Sequence, residues 1–294
     1  MLGAIIGDIA GSRFEFRNTF DYDFELFHKE CDYTDDTVCT VAIADAILNG
    51  KSYESSLVEW CRKYPNPMGA YGGSFVRWIY NPVPYGSWGN GAAMRVSPVG
   101  WLFNNEETVR REAERTAKVS HSHPEGIKGA QVTALAIFYL RTMKSMKPVE
   151  NMLSTFYTKE ELTAIPEKGE WCDNCQGCVP LSLMLLLQST SFEDAIRRAV
   201  SYGGDSDTVG AIVGSLAEAL YGIPEDFKEK ALTYLPNDMK EVTHKFNQTI
   251  FTMTEERKRR FREADFAVTN PKTGKTRVIK ASQDITNRKP IKKN

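Results

Sequence analysis

Gly3, Gly7 and Gly11 recur at four-residue spacing near the start of this chain of 294 residues, and Gly210 and Gly214 repeat the spacing far downstream. Each glycine inside a helix costs up to about 1 kcal/mol relative to alanine, so a helix that keeps several must gain from having no side chain there. The gain on offer is close backbone approach between two helices. No uninterrupted apolar stretch approaches the roughly 20 residues that a bilayer crossing needs. The glycine faces therefore predict two buried central helices rather than a pair packed in lipid, and Asp8 within the first apolar run, with no positive flank, argues against a signal peptide.

The rest of residues 1–254 reads as helix almost throughout. Val38, Val41, Ala42, Asp45 and Leu48 follow a three-to-four pattern, as do Leu57, Trp60 and Cys61, then Val132, Leu135, Ala136, Tyr139 and Leu140. Thr158 to Glu161 and Ser191 to Asp194 each set a hydroxyl three residues before a carboxylate, the pattern that pairs the free N–H groups of a first helical turn. Stops are expected at Gly50, Pro148, Gly203-Gly204 and Gly222-Ile-Pro224. Strand-type alternation is scarce. The expectation is an all-α, compact, single-domain bundle of roughly ten helices, with no solenoid repeat. Apolar residues at 41% and charged residues at 26% suit a globular protein that can bury a large core without disulfides or a structural metal. Six cysteines without a paired framework indicate a cytoplasmic protein.

Charge divides the chain unevenly. Lys and Arg number 37 against 38 Asp and Glu, yet thirteen of the basic and five of the acidic residues fall in 255–294. That leaves 24 basic and 33 acidic residues, a balance of −9, in 1–254. The domain assignment is 1–254 for the helical domain and 255–294 for a basic extension, read as a short helix at 254–266 and then an extended or mobile tail. The body excludes general nucleic-acid binding by charge, and only the tail offers a nucleic acid any purchase.

Acidic residues gather at the ends of the glycine-rich helices. Asp8 and Glu15 flank the first, Thr34-Asp35-Asp36-Thr37 opens the second, and Gly203-Gly204-Asp205-Ser206-Asp207-Thr208 opens the one that carries Gly210. A single Asp or Thr at a helix start is an ordinary cap, but capping uses one oxygen per helix, and two adjacent Asp plus an Asp-x-Asp exceed that need. Four carboxylates beside hydroxyl residues are the hard oxygen donors that Mg²⁺, Mn²⁺ or Ca²⁺ prefer, and without cations they would repel one another.

These four elements, Gly7-Asp8 through Glu15-Phe16, Tyr33 through Thr37, Ser120-His121 through Ala130, and Gly203 through Thr208, resemble in order and spacing the ADP-ribosylglycohydrolases of the dinitrogenase-reductase-activating and ADP-ribosyl-acceptor hydrolase type, over about residues 1–250. The resemblance implies an all-α fold with a two-metal cleft. It implies two Mg²⁺ or Mn²⁺ ions held by Thr34, Asp35 and Asp36 from one side and by Asp205, Asp207 and Thr208 from the other. Glu15 matches the family's glutamate, with a metal-gating or acid/base role. Asp35, Asp36 and Glu15 are the candidates for activating water or protonating the leaving group, and the residues do not choose among them.

Tyr85 to Arg95 is a second element of the resemblance, with Gly89, Asn90, Gly91, Met94 and Arg95 at the positions of a substrate-phosphate loop. Exposed N–H groups in such a loop suit a pyrophosphate, and no Gly-Lys-Ser/Thr makes it a nucleoside-triphosphate loop. His121 is weighed as a substrate contact against a buried hydrogen-bonding role. Arg13, Trp78, Tyr85 and Trp88 are rim candidates. Cys172, Cys175 and Cys178 lack a fourth partner and read as structural thiols before a redox or zinc site. The function expected is hydrolysis of the glycosidic bond between ADP-ribose and an acceptor, on an ADP-ribosylated protein or other acceptor and with no membrane partner. The alternatives are hydrolysis of free ADP-ribose derivatives or other phosphorylated nucleotides, or a non-catalytic ADP-ribose-binding or structural relative.

Overall fold

The computed structural model describes residues 1–263, 265–269 and 276–280, with side chains through Arg259. In chain order the helices are α1 Leu2–Ser12, α2 Asp35–Asn49, α3 Tyr53–Lys63, α4 Gly73–Tyr80, α5 Gly91–Met94, α6 Ser97–Leu102, α7 Glu106–Lys118, α8 Pro124–Met143, α9 Lys147–Leu153, α10 Lys159–Thr163, α11 Cys175–Leu187, α12 Phe192–Tyr202, α13 Ser206–Tyr221, α14 Glu225–Tyr234 and α15 Asn237–Glu263. Two strands follow, β1 Asp265–Thr269 and β2 Thr276–Lys280. The chain divides into two units, Met1–Lys245 and Phe246–Asn294. The first is all-α, and among the described residues no helix is long and apolar enough to cross a membrane.

The first unit is built around α1 and α13, which pack along their length. All eleven residues of α1 are buried. A side chain at Gly7 would overlap the carbonyl oxygen of Gly210, one at Gly3 that of Gly214, and a Cβ on Gly11 would lie 2.5 Å from both the Asp207 Cα and the Ser206 carbonyl oxygen. The five glycines thus offset their propensity cost by letting two backbones touch. Ile5, Ile6 and Ile9 are fully buried around this contact, each contributing about 1.5–3 kcal/mol of transfer free energy. Helices α8, α11 and α12 pack onto α13, α7 packs against α8, and α3 packs against α2.

Local signals place most of the boundaries. Gly50 ends α2 in the left-handed region, Thr158 and Glu161 form the capping box of α10, and the Ser191 hydroxyl accepts from the Asp194 N–H at the start of α12. Pro148 is a correction: it sits in the first turn of α9 and starts that helix instead of ending one, because proline's missing N–H is unpaired there in any case. Fourteen helices begin and end within the first unit, more than the ten read from the pattern, because α5, α6, α9 and α10 are too short to show a period. The helix expected at 254–266 is the last part of α15 only as far as Glu263; Asp265 and Phe266, read as helix, belong to β1, which pairs antiparallel with β2, Phe266 with Ile279 and Val268 with Arg277. The remainder of that tail lies outside the described residues.

Candidate active site

The close packing at Gly11 places the N-terminus of α13 beside the C-terminal end of α1. Asp205 is the N-cap residue of α13 and Asp207 lies in its first turn. Glu15 follows α1 by three residues. One oxygen each from Glu15, Asp205 and Asp207 come within 4.8 Å of one another, a set that could hold a metal ion.

The third approach comes from α2. Thr34 caps it, its hydroxyl accepting from the Asp36 N–H and donating to Asp8 Oδ1 at 2.7 Å. Asp8, fully buried on α1, also accepts from the Thr34 N–H at 3.0 Å, from the Thr37 N–H at 3.1 Å and from the Thr37 hydroxyl. Its carboxylate serves as a cap supplied from a neighbouring helix, and it registers the start of α2 against α1. Asp36 is buried, and its Oδ2 accepts from the Thr208 hydroxyl at 3.1 Å, joining α2 to α13. Asp35 is half-buried. Two helix N-termini therefore converge on one group of carboxylates, where their dipoles favour negative charge.

That charge is costly without a cation. Burial, then the coupled carboxylates around them, push Asp36 and Asp207 well above the usual range. Burial with Asp205 and Asp8 raises Glu15 to about 7, and burial raises Asp8 to about 6 against the opposing pull of its threonine bonds. Asp205 also rises through burial, while its hydrogen bonds with Asp207, Asn90 and Thr208 hold it back. Glu15 Oε2, Asp36 Oδ1 and Asp207 Oδ1 are buried without a hydrogen-bond partner.

Two residues that the sequence reading passed over shape this group. Asn18 Nδ2 donates to the carbonyls of Phe14 at 2.8 Å and Gly204 at 2.8 Å, and its Oδ1 accepts from the Gly204 N–H at 2.9 Å. It ties the Glu15 segment to the Gly203-Gly204 turn, where φ is +80° and +77° and a side chain at Gly204 would strike the Glu170 carbonyl. Gly69, at φ +76°, lies against Glu15, whose Oε2 occupies the space of its missing Cβ. Neither has a periodic or motif signal, since each acts by touching a segment remote in sequence or a turn.

The Gly89–Gly91 loop adjoins the carboxylates through Asn90, whose Nδ2 donates to Asp205 Oδ2 at 2.6 Å. The loop is pinned by the Asn90 N–H on the Asp173 carbonyl at 2.8 Å and the Cys175 N–H on the Trp88 carbonyl at 3.0 Å. His121 is buried beneath it: a Cβ on Gly91 would lie 2.8 Å from His121 Nε2, so glycine at 91 leaves room for the imidazole. Arg95 and Met94 lie away from the loop surface. Arg95 is 1% exposed and donates to the Thr116 carbonyl at 3.0 Å and to Ser120 Oγ at 2.9 Å. Ser120 Oγ, accepting there, also shares a hydrogen bond with His121 Nδ1 at 2.8 Å. Burial, then the Arg95 charge, holds His121 well below its usual pKa, so the ring is neutral. Trp78 is buried and so lines no rim, whereas Trp88 is exposed, and Phe16 and Trp171 stack with ring centroids 5.7 Å apart.

An all-helical unit whose buried carboxylates meet at two helix N-termini beside a glycine loop defines a narrow class. The sequence model of the ADP-ribosylglycohydrolase family matches residues 1–260, and the chain belongs to that family. It is similar to human ADP-ribosylhydrolase ARH3, 22% identical over 81% of this chain and 90% of that protein. It is also similar to ADP-ribosylarginine hydrolase Tri1 of Pseudomonas putida (strain GB-1), 25% identical over 78% of this chain and 72% of that one. A solved structure titled "ADP-ribosylglycohydrolase-related protein complex" shares the fold, with TM-score 0.68 and 21% identity over 85% of this chain and 95% of its own.

Proposed function

We propose that the protein hydrolyses the glycosidic bond between ADP-ribose and an acceptor, with divalent cations, Mg²⁺ or Mn²⁺, held by the carboxylate cluster. The observation that carries this reading is the set of buried, unpartnered oxygens on Glu15, Asp36 and Asp207, with no basic side chain among the groups that shift Asp36 or Asp207. Buried carboxylates in a folded protein are paired or coordinate metal, and hard oxygen donors without a cationic side chain fit the second case. Glu15, Asp35, Asp36, Asp205 and Asp207 would hold the ions, with a spare lone pair from the Thr34 and Thr208 hydroxyls. When bound, the ions would neutralise the cluster and fix the ribose hydroxyls so that the anomeric carbon is presented to water.

The chain's own groups account for the remaining steps. Asp36 is tied to Thr208 and buried, so proton exchange falls to Glu15 or Asp35, both half-buried. With cations bound, Glu15 would fall from the raised value of the cation-free cluster and stay an anion that can take a proton from water. Asn90 orients Asp205, and the buried, neutral His121 ring supports the Gly89–Gly91 loop from beneath. Arg95 acts through Ser120 as a positioning residue.

The deciding experiment incubates the protein with ADP-ribosylated arginine and serine peptides, ADP-ribosylated oligonucleotides and free ADP-ribose derivatives, with Mg²⁺, Mn²⁺ or EDTA, and measures released ADP-ribose. Release from an acceptor-linked substrate that EDTA abolishes is expected. No release from any of them under either metal would refute the reading.

A further inference from the structure

Cys175 and Cys178 lie against the Gly89–Asn90 loop, Cys172 lies beside Cys178, and the proposed reaction uses none of them. Cys175 is closed off: it is buried, its Sγ donates to the Gly89 carbonyl at 3.2 Å, and it fills the space beside Gly129. Cys178 is also buried, on the first turns of α11, with its thiol on the Cys172 carbonyl at 2.7 Å and its Sγ 3.5 Å from Asn90 Nδ2. Cys172 differs in being half-exposed, and its sulfur rests where a side chain on Gly177 would be. The Cys178 thiol, which donates to the Cys172 carbonyl, lies beside the Cys172 sulfur, and it and then the backbone at Asn174 hold Cys172 down to about 7. A partly exposed thiol with thiolate character beside a second sulfur is the arrangement that oxidants select. The Cys39 and Cys61 sulfurs are 3.9 Å apart, but both are buried and lack that access.

We propose that Cys172 and Cys178 form a redox-modification site, closed to a disulfide by a hydroperoxide and coupled through Asn90 to Asp205. The Cys172 thiolate attacks a peroxide oxygen, the O–O bond breaks, and a sulfenic acid forms as hydroxide leaves and takes up a proton. The Cys178 sulfur then displaces hydroxide from the Cys172 sulfur, and its thiol proton completes a second water. Two thiols lose two electrons in total, and one hydrogen peroxide is reduced to two waters. Drawing the Cys178 sulfur toward Cys172 takes it from Asn90, the residue that bonds Asp205 Oδ2 at 2.6 Å. The coupling to metal and substrate rests on the function proposed above; the disulfide does not.

The test treats the full chain with hydrogen peroxide and maps its thiols by mass spectrometry. All three cysteines lie between Lys168 and Arg197, in one tryptic peptide. That peptide is expected to lose two hydrogens in the wild type and in Cys175→Ser, but not in Cys172→Ser, and dithiothreitol should restore it. The oxidised protein should bind Mn²⁺ about tenfold more weakly by calorimetry, the size usual for a disturbed outer-shell partner, while peroxide-treated Cys172→Ser keeps its affinity. Retention of all three thiols, or a bond to Cys175, would overturn the site. Disulfide formation with unchanged Mn²⁺ affinity would overturn the coupling. If the reduced protein neither binds Mn²⁺ nor hydrolyses, the earlier functional reading fails while the peptide masses still decide the site.

Discussion

Glu15 and Asp8 hold protons more tightly in the folded chain than in the unfolded one, at about 7 and about 6 against 4.5 and 3.8. Between roughly pH 4 and 7 the folded state therefore binds more protons, and the metal-free protein should lose stability as pH rises through that window. Melting in EDTA is expected at a lower temperature at pH 7.5 than at pH 5.5, with Glu15→Gln flattening the fall and Mg²⁺ or Mn²⁺ raising the pH 7.5 value by mass action. A melting temperature that climbs with pH in EDTA would contradict the buried-charge account. The cluster also sets the cost of losing a ligand. Asp36→Ala and Asp205→Ala should each abolish hydrolysis and weaken Mn²⁺ binding by at least about tenfold, since the cations lose an oxygen ligand and a negative charge with no spare ligand beside it. Near-native rates in both variants would show that these carboxylates hold no catalytic ion.

The contact of α1 with α13 is where one methyl group should matter most. A Cβ at Gly7 meets the carbonyl of Gly210, which is backbone and cannot swing aside. Gly7→Ala should destabilise the protein by about 3 kcal/mol despite alanine's better helix propensity, as read by chemical denaturation. Because the same contact seats Asp207 beside Gly11, a folded Gly7→Ala protein should also bind metal more weakly. Gly73 is the control: it starts α4 with nothing within 4 Å of an added Cβ, and Gly73→Ala should stabilise by about 0.5 kcal/mol. Equal stability for Gly7→Ala and the wild type would mean that the helices do not pack as closely as described.

For the whole molecule, the separation of charge between body and tail carries the remaining prediction. Thirteen Lys and Arg in 255–294 face a balance of −9 elsewhere. We propose that this segment recruits large acidic substrates rather than taking part in the reaction. Ending the chain after Thr254 should leave turnover of a small ADP-ribosylated peptide within about twofold, because every proposed ligand precedes residue 209, and surface charge beyond a Debye length of about 10 Å is screened at 0.1 M salt. The shortened chain should be slower on ADP-ribosylated nucleic acid at low salt, with the gap closing as salt rises. Identical rates on every substrate at low salt would remove the recruiting role.

The sequence by itself determined the helical character of the body, because three-to-four periodicity and capping residues are local and act within a few residues of one another. It also determined the types of residue at the site: Thr34-Asp35-Asp36 and Asp205-Ser206-Asp207 exceed what capping needs, and that excess is visible without coordinates. The glycine spacing announced that two helices approach closely. Only the tertiary structure decided which residues do what. Asp8 became a cap for another helix, Arg95 went inside to orient Ser120 and His121, Asn18 and Gly69 joined the site, and Trp78 left the rim. None of these could be read along the chain, since each depends on a contact with a segment remote in sequence or on a turn with no period. The pairing of Phe266 with Ile279 has the same origin, because a strand's register depends on its partner strand and not on its own residues alone.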